Sequence, residues 1–206
     1  MANTSTVQQL PNGQITLNIP RAISQAMGYQ KGDTVTFEIA GQKIVDISAQ
    51  YLNFQVDAGA DALQLFDSWV GCLSPTDYER FVLPHTKALI ELVSGRVPVI
   101  HFGTGTATLL KLMAQAGGDV IGLDWRVNLA EAWLNLGFDK AVQGNLDPTV
   151  LLGTREELKL QVARIMKEAA SRPGHIFNLG HGVLPMTSPD QVKFLVETVR
   201  NSEAAQ

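Results

Sequence analysis

A short apolar run, Val97-Pro98-Val99-Ile100-His101-Phe102, is followed by a segment with helical periodicity at residues 107–116. A second apolar run, Asp119-Val120-Ile121-Gly122-Leu123, comes directly after that segment. Continuous apolar runs of this length are typical of strands buried on both faces, and an intervening helix lets two such strands lie in parallel. This part of the sequence therefore predicts a parallel sheet covered by helices.

The same alternation extends from about residue 50 to the carboxyl end of the sequence. Three more strands are predicted at residues 62–67, 141–145 and 176–179. Helices are predicted at residues 76–94, 129–136, 155–170 and 189–201. A succession of about five β/α units predicts the α/β fold class.

The first 48 residues have a different, β-rich pattern. Ile15-Thr16-Leu17-Asn18-Ile19 alternates apolar and polar residues, which predicts a half-buried strand, and Pro20 ends it. A short helix is predicted at residues 21–27, and further strands at residues 34–39 and 43–47. The turn between these last two strands is predicted at Ala40-Gly41-Gln42.

Three motifs of this segment are Gly13-Gln14-Ile15-Thr16, Ile19-Pro20 and Lys31-Gly32-Asp33. In this order they resemble the AbrB-like swapped-hairpin domains of bacterial and archaeal regulators. The resemblance implies a homodimer with interleaved hairpins, and many members of that family bind DNA. We therefore predict an AbrB-like swapped-hairpin β domain at residues 1–48 and a second domain at residues 49–206.

The charge of the amino-terminal segment leaves two interpretations open. Its basic residues are balanced by as many acidic ones: Arg21, Lys31, Lys43, Asp33, Glu38 and Asp46. Duplex binding normally rests on cationic contacts to phosphates. A DNA-binding domain and a domain that serves only dimerisation or folding therefore both remain as interpretations.

The composition narrows the class of protein. The 206 residues carry a formal net charge of −4, which disfavours a nucleic-acid-binding surface over the whole protein. Cys72 is the single cysteine, so the chain offers neither an internal disulfide nor a thiolate metal cage. Residues 1–9 lack a signal-peptide pattern, and no apolar run approaches the ~20 residues of a membrane span. We expect a soluble, cytoplasmic protein with no membrane partner.

Polar residues follow or end every predicted strand of the second domain. The candidate cleft residues at these positions are Asp67, Ser68, His101, Asp124, Gln143, Asn145, Asn178 and His181. Because the carboxyl ends of parallel strands meet at one side of the sheet, these residues predict a ligand cleft there. Structural alternatives remain for several of them: Asp67 or Ser68 as a helix cap, Asp124 in a backbone turn, and His101 as a core histidine.

The motif Asn178-Leu179-Gly180-His181-Gly182 follows the last predicted strand. A histidine between two glycines is poorly suited to core packing, and it is well suited to presenting an imidazole where backbone and ligand come close. His181 is therefore the strongest single candidate for a ligand contact.

Several long motifs resemble the uroporphyrinogen decarboxylase family from about residue 50 onward. They are residues 58–68 with Phe66-Asp67-Ser68 at the end, Ile100-His101-Phe102-Gly103, Gly122-Leu123-Asp124-Trp125, residues 143–148 and the Asn178–Gly182 motif. The resemblance implies an incomplete (β/α)8, or TIM-type, barrel of about five β/α units. It also implies cofactor-free removal of the acetate carboxyl groups of uroporphyrinogen III, which gives coproporphyrinogen III in haem and tetrapyrrole biosynthesis.

The resemblance assigns roles to few residues of this sequence. It makes Ser68 and His181 contacts to the tetrapyrrole, and it adds Phe66 to the candidate cleft. The family's Arg-Gln-Ala-Gly-Arg motif, its pyrrole-binding aspartate and its tyrosine have no counterpart here, so no catalytic residue is assigned. Related zinc methyltransferases carry His-x-Cys where this sequence has His101-Phe102-Gly103, so no metal or other cofactor is predicted.

These departures leave a second functional hypothesis. Five β/α units cannot close an eight-stranded barrel, because closure links strand number, tilt and stagger. The open edges would be covered by another chain or by the amino-terminal segment. The alternative is therefore a non-catalytic, dimeric tetrapyrrole-binding or regulatory module with an AbrB-like DNA-binding or dimerisation segment.

Overall fold

The computed structural model describes residues 7–9, 15–17 and 41–203. Residue contacts divide the chain into two units, 1–39 and 40–206. In the first unit, strands β1 (Val7–Gln9) and β2 (Ile15–Leu17) form an antiparallel pair. β2 lies inside the strand predicted at residues 15–19. The predicted helix at 21–27 and strand at 34–39 lie outside the described residues, as does most of the predicted swapped-hairpin domain.

The second unit alternates helices and strands. Its helices are α1 (Gly41–Asp57), α2 (Pro75–Phe81), α3 (Leu83–Val93), α4 (Leu110–Ala116), α5 (Leu129–Asn135), α6 (Arg155–Ala169) and α7 (Pro189–Glu203). Its strands are β3 (Leu63–Asp67), β4 (Val99–Gly103), β5 (Val120–Gly122), β6 (Ala141–Leu146) and β7 (His175–Leu179). Short 3-10 helices lie at Val70–Cys72 and Pro148–Leu152.

The five strands of this unit form one parallel sheet in chain order, β3-β4-β5-β6-β7. Each crossover helix therefore returns the chain to the neighbouring position, as in a (β/α)8 barrel and unlike the reversed strand order of a dinucleotide-binding fold. The predicted α/β class and parallel sheet are confirmed, and the architecture is consistent with part of a TIM-type barrel. Within the described residues, β3 and β7 are the edge strands of this sheet, and each is hydrogen-bonded to one neighbouring strand.

The core lies between the sheet and its helices. The larger cluster packs Ile121 and Val142 of the sheet against Trp133 of α5 and Val162 and Ile165 of α6. A smaller cluster joins α1, α3 and the starts of β3 and β4. The strands are thus anchored on their helix-facing side, which leaves their opposite face available for a site.

The prediction of a strand at residues 43–47 is wrong, because these residues belong to α1. Their β-branched residues favour a strand locally, but strand preference is easily overridden by packing. In α1, Val45, Ala49 and Leu52 recur at helical spacing and are buried. The turn predicted at residues 40–42 likewise gives way to the start of α1 at Gly41. The proposed boundary between residues 48 and 49 falls within this helix.

The helix predicted at residues 76–94 is interrupted. α2 ends at Phe81, and α3 begins at Leu83 after Val82. Pro84 explains the break, because it has no backbone N–H to donate to the carbonyl of Arg80 and its ring would crowd that carbonyl. The predicted start is confirmed: the hydroxyl of Ser74 accepts a hydrogen bond from the Asp77 N–H at 3.1 Å.

No helix within the described part of the chain is long and apolar enough to cross a membrane.

Candidate ligand-binding cleft

A cavity of about 340 Å³ opens on the face of the sheet opposite the helices. Its polar lining comes from Gln64, Ser68, Gln143, Asn178 and His181, and its apolar lining from Phe66, Phe102, Leu179 and Val183, with Gly182 at the rim. Most of these residues lie at or beyond the carboxyl ends of strands. The cleft is therefore where a parallel α/β sheet is expected to bind a ligand.

Strand β3 supplies one wall of the cleft through its alternation of side chains. Gln64 and Phe66 point to the cleft face, and Ser68 continues this register just after the strand. Phe66 is 69% exposed. Its ring packs edge to face against the ring of Phe102, with 5.8 Å between the ring centres. The hydroxyl of Thr104 donates a hydrogen bond to the Ser68 carbonyl. Ser68 is thus tied to the loop that follows β4.

The loop after β7 supplies the opposite wall through His181, which is exposed. Its imidazole ring lies edge to face with the indole ring of Trp125, at 5.8 Å between centres. The preceding residue, Gly180, donates its N–H to the Leu146 carbonyl at 2.7 Å. A Cβ at Gly180 would lie 2.3 Å from the Trp125 nitrogen, so a side chain there has no room. Gly180 therefore permits a close backbone approach to Trp125 directly before His181.

The floor of the cleft contains Gln143, one of the polar strand-end residues, and Gln64, which the sequence patterns did not identify. Gln143 donates from Nε2 to Oε1 of Gln64 at 3.4 Å, which links β6 to β3 across the sheet face. The signal for Gln64 in the sequence is weak, because it consists only of a polar residue in register with Phe66 on β3. Asn178 also lines the cleft, and its side-chain oxygen accepts from the Leu179 N–H at 2.8 Å.

Asp124 and Asn145 do not line this cavity, although both lie at strand ends. Asp124 is 1% exposed, and its carboxylate accepts hydrogen bonds from the backbone N–H groups of Gly105 and Arg126. It also forms an ion pair with Nη1 of Arg126 at 2.9 Å. Asn145 donates from Nδ2 to the carbonyls of Asp124 and Val127, each at 2.8 Å. Both side chains hold neighbouring loops together behind the cleft surface.

Asp67 and His101 lie on the helix-facing side of the sheet. They line a separate cavity of about 300 Å³ bordered by β3, α1 and α3. Burial raises the pKa of Asp67, and a hydrogen bond from the Val70 N–H opposes that shift. Burial lowers the pKa of His101, against hydrogen bonding to the backbone of Met113 and Gly117. Nδ1 of His101 lies 3.3 Å from the Met113 carbonyl oxygen, as in the core-histidine alternative.

The structure therefore brings together Phe66, Ser68, Asn178 and His181 in one cleft. It places Asp67 and His101 on the other face of the sheet. Asp124 and Asn145 are buried behind the cleft, where they hold neighbouring loops by hydrogen bonds. For Asp67 and His101 the separation follows the alternation of side chains along β3 and β4, since residues one position apart point to opposite faces.

Fold and cleft together define an α/β protein whose five-stranded parallel sheet is consistent with part of a TIM-type barrel, with a cleft at the carboxyl ends of the strands. The structure is similar in fold to a methyltransferase from Methanosarcina mazei, with a TM-score of 0.69 and 22% sequence identity. That similarity covers 77% of this chain and 47% of the methyltransferase.

The sequence model of the family "Uroporphyrinogen decarboxylase (URO-D)" matches residues 24–202. The chain belongs to this family. The match begins within the segment predicted to be AbrB-like, and the described residues provide no support for that resemblance.

Curated relatives agree with the family match. The uroporphyrinogen decarboxylase of Geobacter metallireducens is 54% identical over 158 residues, which is 76% of this chain and 46% of the relative. That of Solibacter usitatus is 52% identical over 159 residues, or 77% of this chain and 46% of the relative. The chain thus spans about half the length of the curated relatives it matches.

Proposed function

We propose that this chain forms the carboxyl-terminal part of a barrel that converts uroporphyrinogen III to coproporphyrinogen III in tetrapyrrole biosynthesis. The observation that carries the proposal is the shared cleft of Ser68 and His181, the two positions that the family resemblance assigns to substrate contact. They approach it from β3 and β7, the two ends of the five-stranded sheet. A ligand that spans the face of the sheet can therefore touch both.

The reaction removes each acetate carboxyl group as carbon dioxide and leaves a methyl group. A proton first adds to the ring, and the electron pair of the broken carbon–carbon bond passes into the protonated pyrrole as carbon dioxide leaves. The methyl carbon then takes up a proton and the ring proton is released, so that each step consumes one proton. The protein must bind the carboxylates and stabilise positive charge that develops on the ring when it is protonated. No metal or organic cofactor is required by this scheme.

The cleft residues suit the binding part of this task. The hydroxyl of Ser68 and the imidazole of His181 can donate hydrogen bonds to substrate carboxylates, and such charge-assisted bonds are the strong ones. The rings of Phe66 and Phe102 supply an apolar surface for the pyrroles between these contacts. Exclusion of water by that surface strengthens each polar contact. The pyrrole-binding aspartate of the family has no counterpart in this sequence, so Ser68 and His181 are proposed as binding residues.

A second candidate function is a dimeric tetrapyrrole-binding module without catalysis. It is favoured by an exposed apolar stripe on α1, formed by Ile44, Ile47, Tyr51 and Phe54, each 61–68% exposed. Their spacing of three and four residues is that of a coiled-coil seam, which can be self-complementary about a two-fold axis. We propose that two copies of the chain pair through this stripe. An AbrB-like role of the amino-terminal segment, in dimerisation or on DNA, belongs to the same hypothesis.

One set of measurements separates the two functions. The purified chain is incubated with uroporphyrinogen III in the absence of oxygen, and coproporphyrinogen is quantified after oxidation and chromatography. Binding of coproporphyrin III is followed by fluorescence, and DNA binding by gel shift at about 50 mM salt, where phosphate contacts are strong. Ser68→Ala and His181→Asn are compared with His85→Asn, since His85 is exposed on α3 away from the cleft.

Turnover that is lost in Ser68→Ala and His181→Asn and kept in His85→Asn supports the decarboxylase. Porphyrin binding without product supports the binding module. Absence of both product and porphyrin binding contradicts both functions.

A further inference from the structure

Asp124 connects the two walls of the cleft through contacts on both of its sides. Towards β3, Oδ2 of Asp124 accepts a hydrogen bond from the Gly105 N–H, and the neighbouring Thr104 hydroxyl donates to the carbonyl of Ser68. The loop of Thr104 and Gly105 also leaves no room for a side chain at Gly71, whose Cβ would lie 2.2 Å from the Thr104 oxygen. The loop of Thr104 and Gly105 therefore connects Ser68 to Asp124 by two hydrogen bonds.

Towards β7, the backbone of Asp124 and Trp125 packs directly against Gly180. A Cβ at Gly180 would lie 2.9 Å from the carbonyl carbon of Asp124. The carbonyl oxygen of Asp124 accepts from the side chain of Asn145 at 2.8 Å, and Trp125 carries the ring that meets His181. His181 is therefore also positioned by packing against Asp124 and Trp125.

We propose that Asp124 is a positioning residue that fixes the separation and orientation of Ser68 and His181 across the cleft. It acts without touching the ligand, because its carboxylate is buried beneath the loops. The proposal rests on the proposed function in so far as Ser68 and His181 bind the tetrapyrrole. It goes further in naming the group on which their mutual geometry depends.

The role requires a carboxylate because both oxygens are used as acceptors at once. Oδ1 accepts from the Arg126 N–H at 3.0 Å, while Oδ2 accepts from Gly105 N–H and from Nη1 of Arg126. An asparagine would keep one acceptor oxygen and turn an NH2 group towards one of these donors. Asp124→Asn therefore breaks the link to the β4 loop or to Arg126 at nearly constant volume.

Asp119 provides a matched control in the same pair of strands. Its carboxylate oxygen Oδ2 accepts a hydrogen bond from the Val99 N–H at 2.8 Å, and both residues lie at the amino ends of β4 and β5. Asp119→Asn thus removes a carboxylate that bonds a backbone amide of the same neighbouring strands, at the end away from the cleft.

The test compares the full chain with Asp124→Asn and Asp119→Asn, first without ligand. NMR follows the backbone amides of Ser68 and Gly105 and the ring protons of His181. In Asp124→Asn the signals of both walls shift together, whereas Asp119→Asn leaves them in place. Shifts confined to the Gly105 loop, or equal shifts in Asp119→Asn, overturn the proposal. This measurement decides it even if the chain binds no porphyrin, an outcome that instead removes the proposed function.

Coproporphyrin III titration then measures the consequence for binding. We expect Asp124→Asn to raise the Kd about tenfold, the effect of one lost charge-assisted contact, with Asp119→Asn close to wild type. An unchanged Kd in Asp124→Asn overturns the proposal. If that variant does not fold, Thr104→Val decides, because it removes only the hydroxyl that donates to the Ser68 carbonyl. A Kd raised about threefold or more is expected there, and a wild-type Kd contradicts the proposed link.

Discussion

The imidazole ring of His181 stands at 89° to the indole ring of Trp125, with 5.8 Å between their centres. On the face of the same indole, the guanidinium carbon of Arg126 lies 3.8 Å from the ring centre. Trp125 therefore lies in contact with a cation that is anchored by buried Asp124 and with the exposed histidine of the cleft. Since His181 follows a glycine and is exposed, this ring contact restrains its orientation.

Replacing Trp125 by alanine should release His181. An edge-to-face aromatic pair contributes about 0.5–1.5 kcal/mol beyond its buried area, so the imidazole is expected to sample several orientations in Trp125→Ala. NMR order parameters of the His181 side chain would fall, and coproporphyrin III binding would weaken. Trp125→Phe keeps an aromatic edge and should restore most of the order. An equally ordered His181 in Trp125→Ala would show that another contact holds the ring.

The two glycines of the cleft motif should respond differently to the same change. Gly180→Ala forces a Cβ against the backbone of Asp124 and Trp125, and such overpacking typically costs about 1–3 kcal/mol. Gly182→Ala meets no atom within 4 Å, so its free energy of unfolding should change by less than about 0.5 kcal/mol. Urea unfolding of both variants measures the difference. Similar losses in the two variants would mean that flexibility of the motif, and not close packing, requires glycine.

Protonation of His101 should destabilise the fold in mild acid. Burial lowers its pKa below the ordinary value of 6.5, and Nε2 has no hydrogen-bond partner within the described residues. Below about pH 6.5 the unfolded chain therefore binds more protons than the folded chain, so the free energy of unfolding falls as the pH decreases. This destabilisation is absent well above that pH, where His101 is neutral in both the folded and the unfolded chain.

Unfolding free energies at about pH 7.5 and pH 5.5 test the assignment, since histidine is the side chain that titrates in this range. The decrease between the two pH values should be smaller in His101→Gln than in the wild-type chain. His85→Gln, on the exposed side of α3, should keep the wild-type decrease. An undiminished decrease in His101→Gln would assign the acid sensitivity to other groups.

The apolar stripe of α1 should determine whether the chain is a monomer or a dimer in solution. If two copies pair through Ile44, Ile47, Tyr51 and Phe54, Ile47→Glu places like charges on the seam and shifts the protein towards the monomer. Leu160→Glu, on α6, is the matched control because Leu160 is also 62% exposed and lies on a different helix. Sedimentation with and without coproporphyrin III gives the mass. A monomeric wild-type chain, or equal dissociation of both variants, contradicts pairing through α1.

The strands and helices from residue 62 onward were predictable because their signals are local. Apolar runs, the Ser74-Pro75 start and the periodicity of α6 and α7 all lie within the elements they specify. The local signal fails at residues 43–47, where β-branched residues favour a strand but the contacts of Ala49 and Leu52 with distant residues favour a helix. It fails again at Val82, because Pro84 interrupts a pattern that otherwise predicts one continuous helix.

The candidate site was predictable only in part. The sequence predicts Ser68 and His181 as ligand contacts, and the structure places both residues in one cleft. The alternation that turns Asp67 away from that cleft was available in the sequence, but the pairing of β3 with β4 was needed to show that His101 turns the same way. Gln64 and Gln143 are 79 residues apart in sequence and meet only across the sheet.

Sequence patterns alone established the α/β class, the parallel strands and the resemblance to the decarboxylase family, because hydrophobic periodicity and motif order are written along the chain. The tertiary structure decided which strand-end residues share a cleft and which support it. That decision depends on side-chain alternation, strand register and the number of acceptors around a buried carboxylate. Asp124 shows the difference: the sequence marks it as a polar strand end, and only its contacts with Gly105, Arg126 and Gly180 show that it joins the two walls.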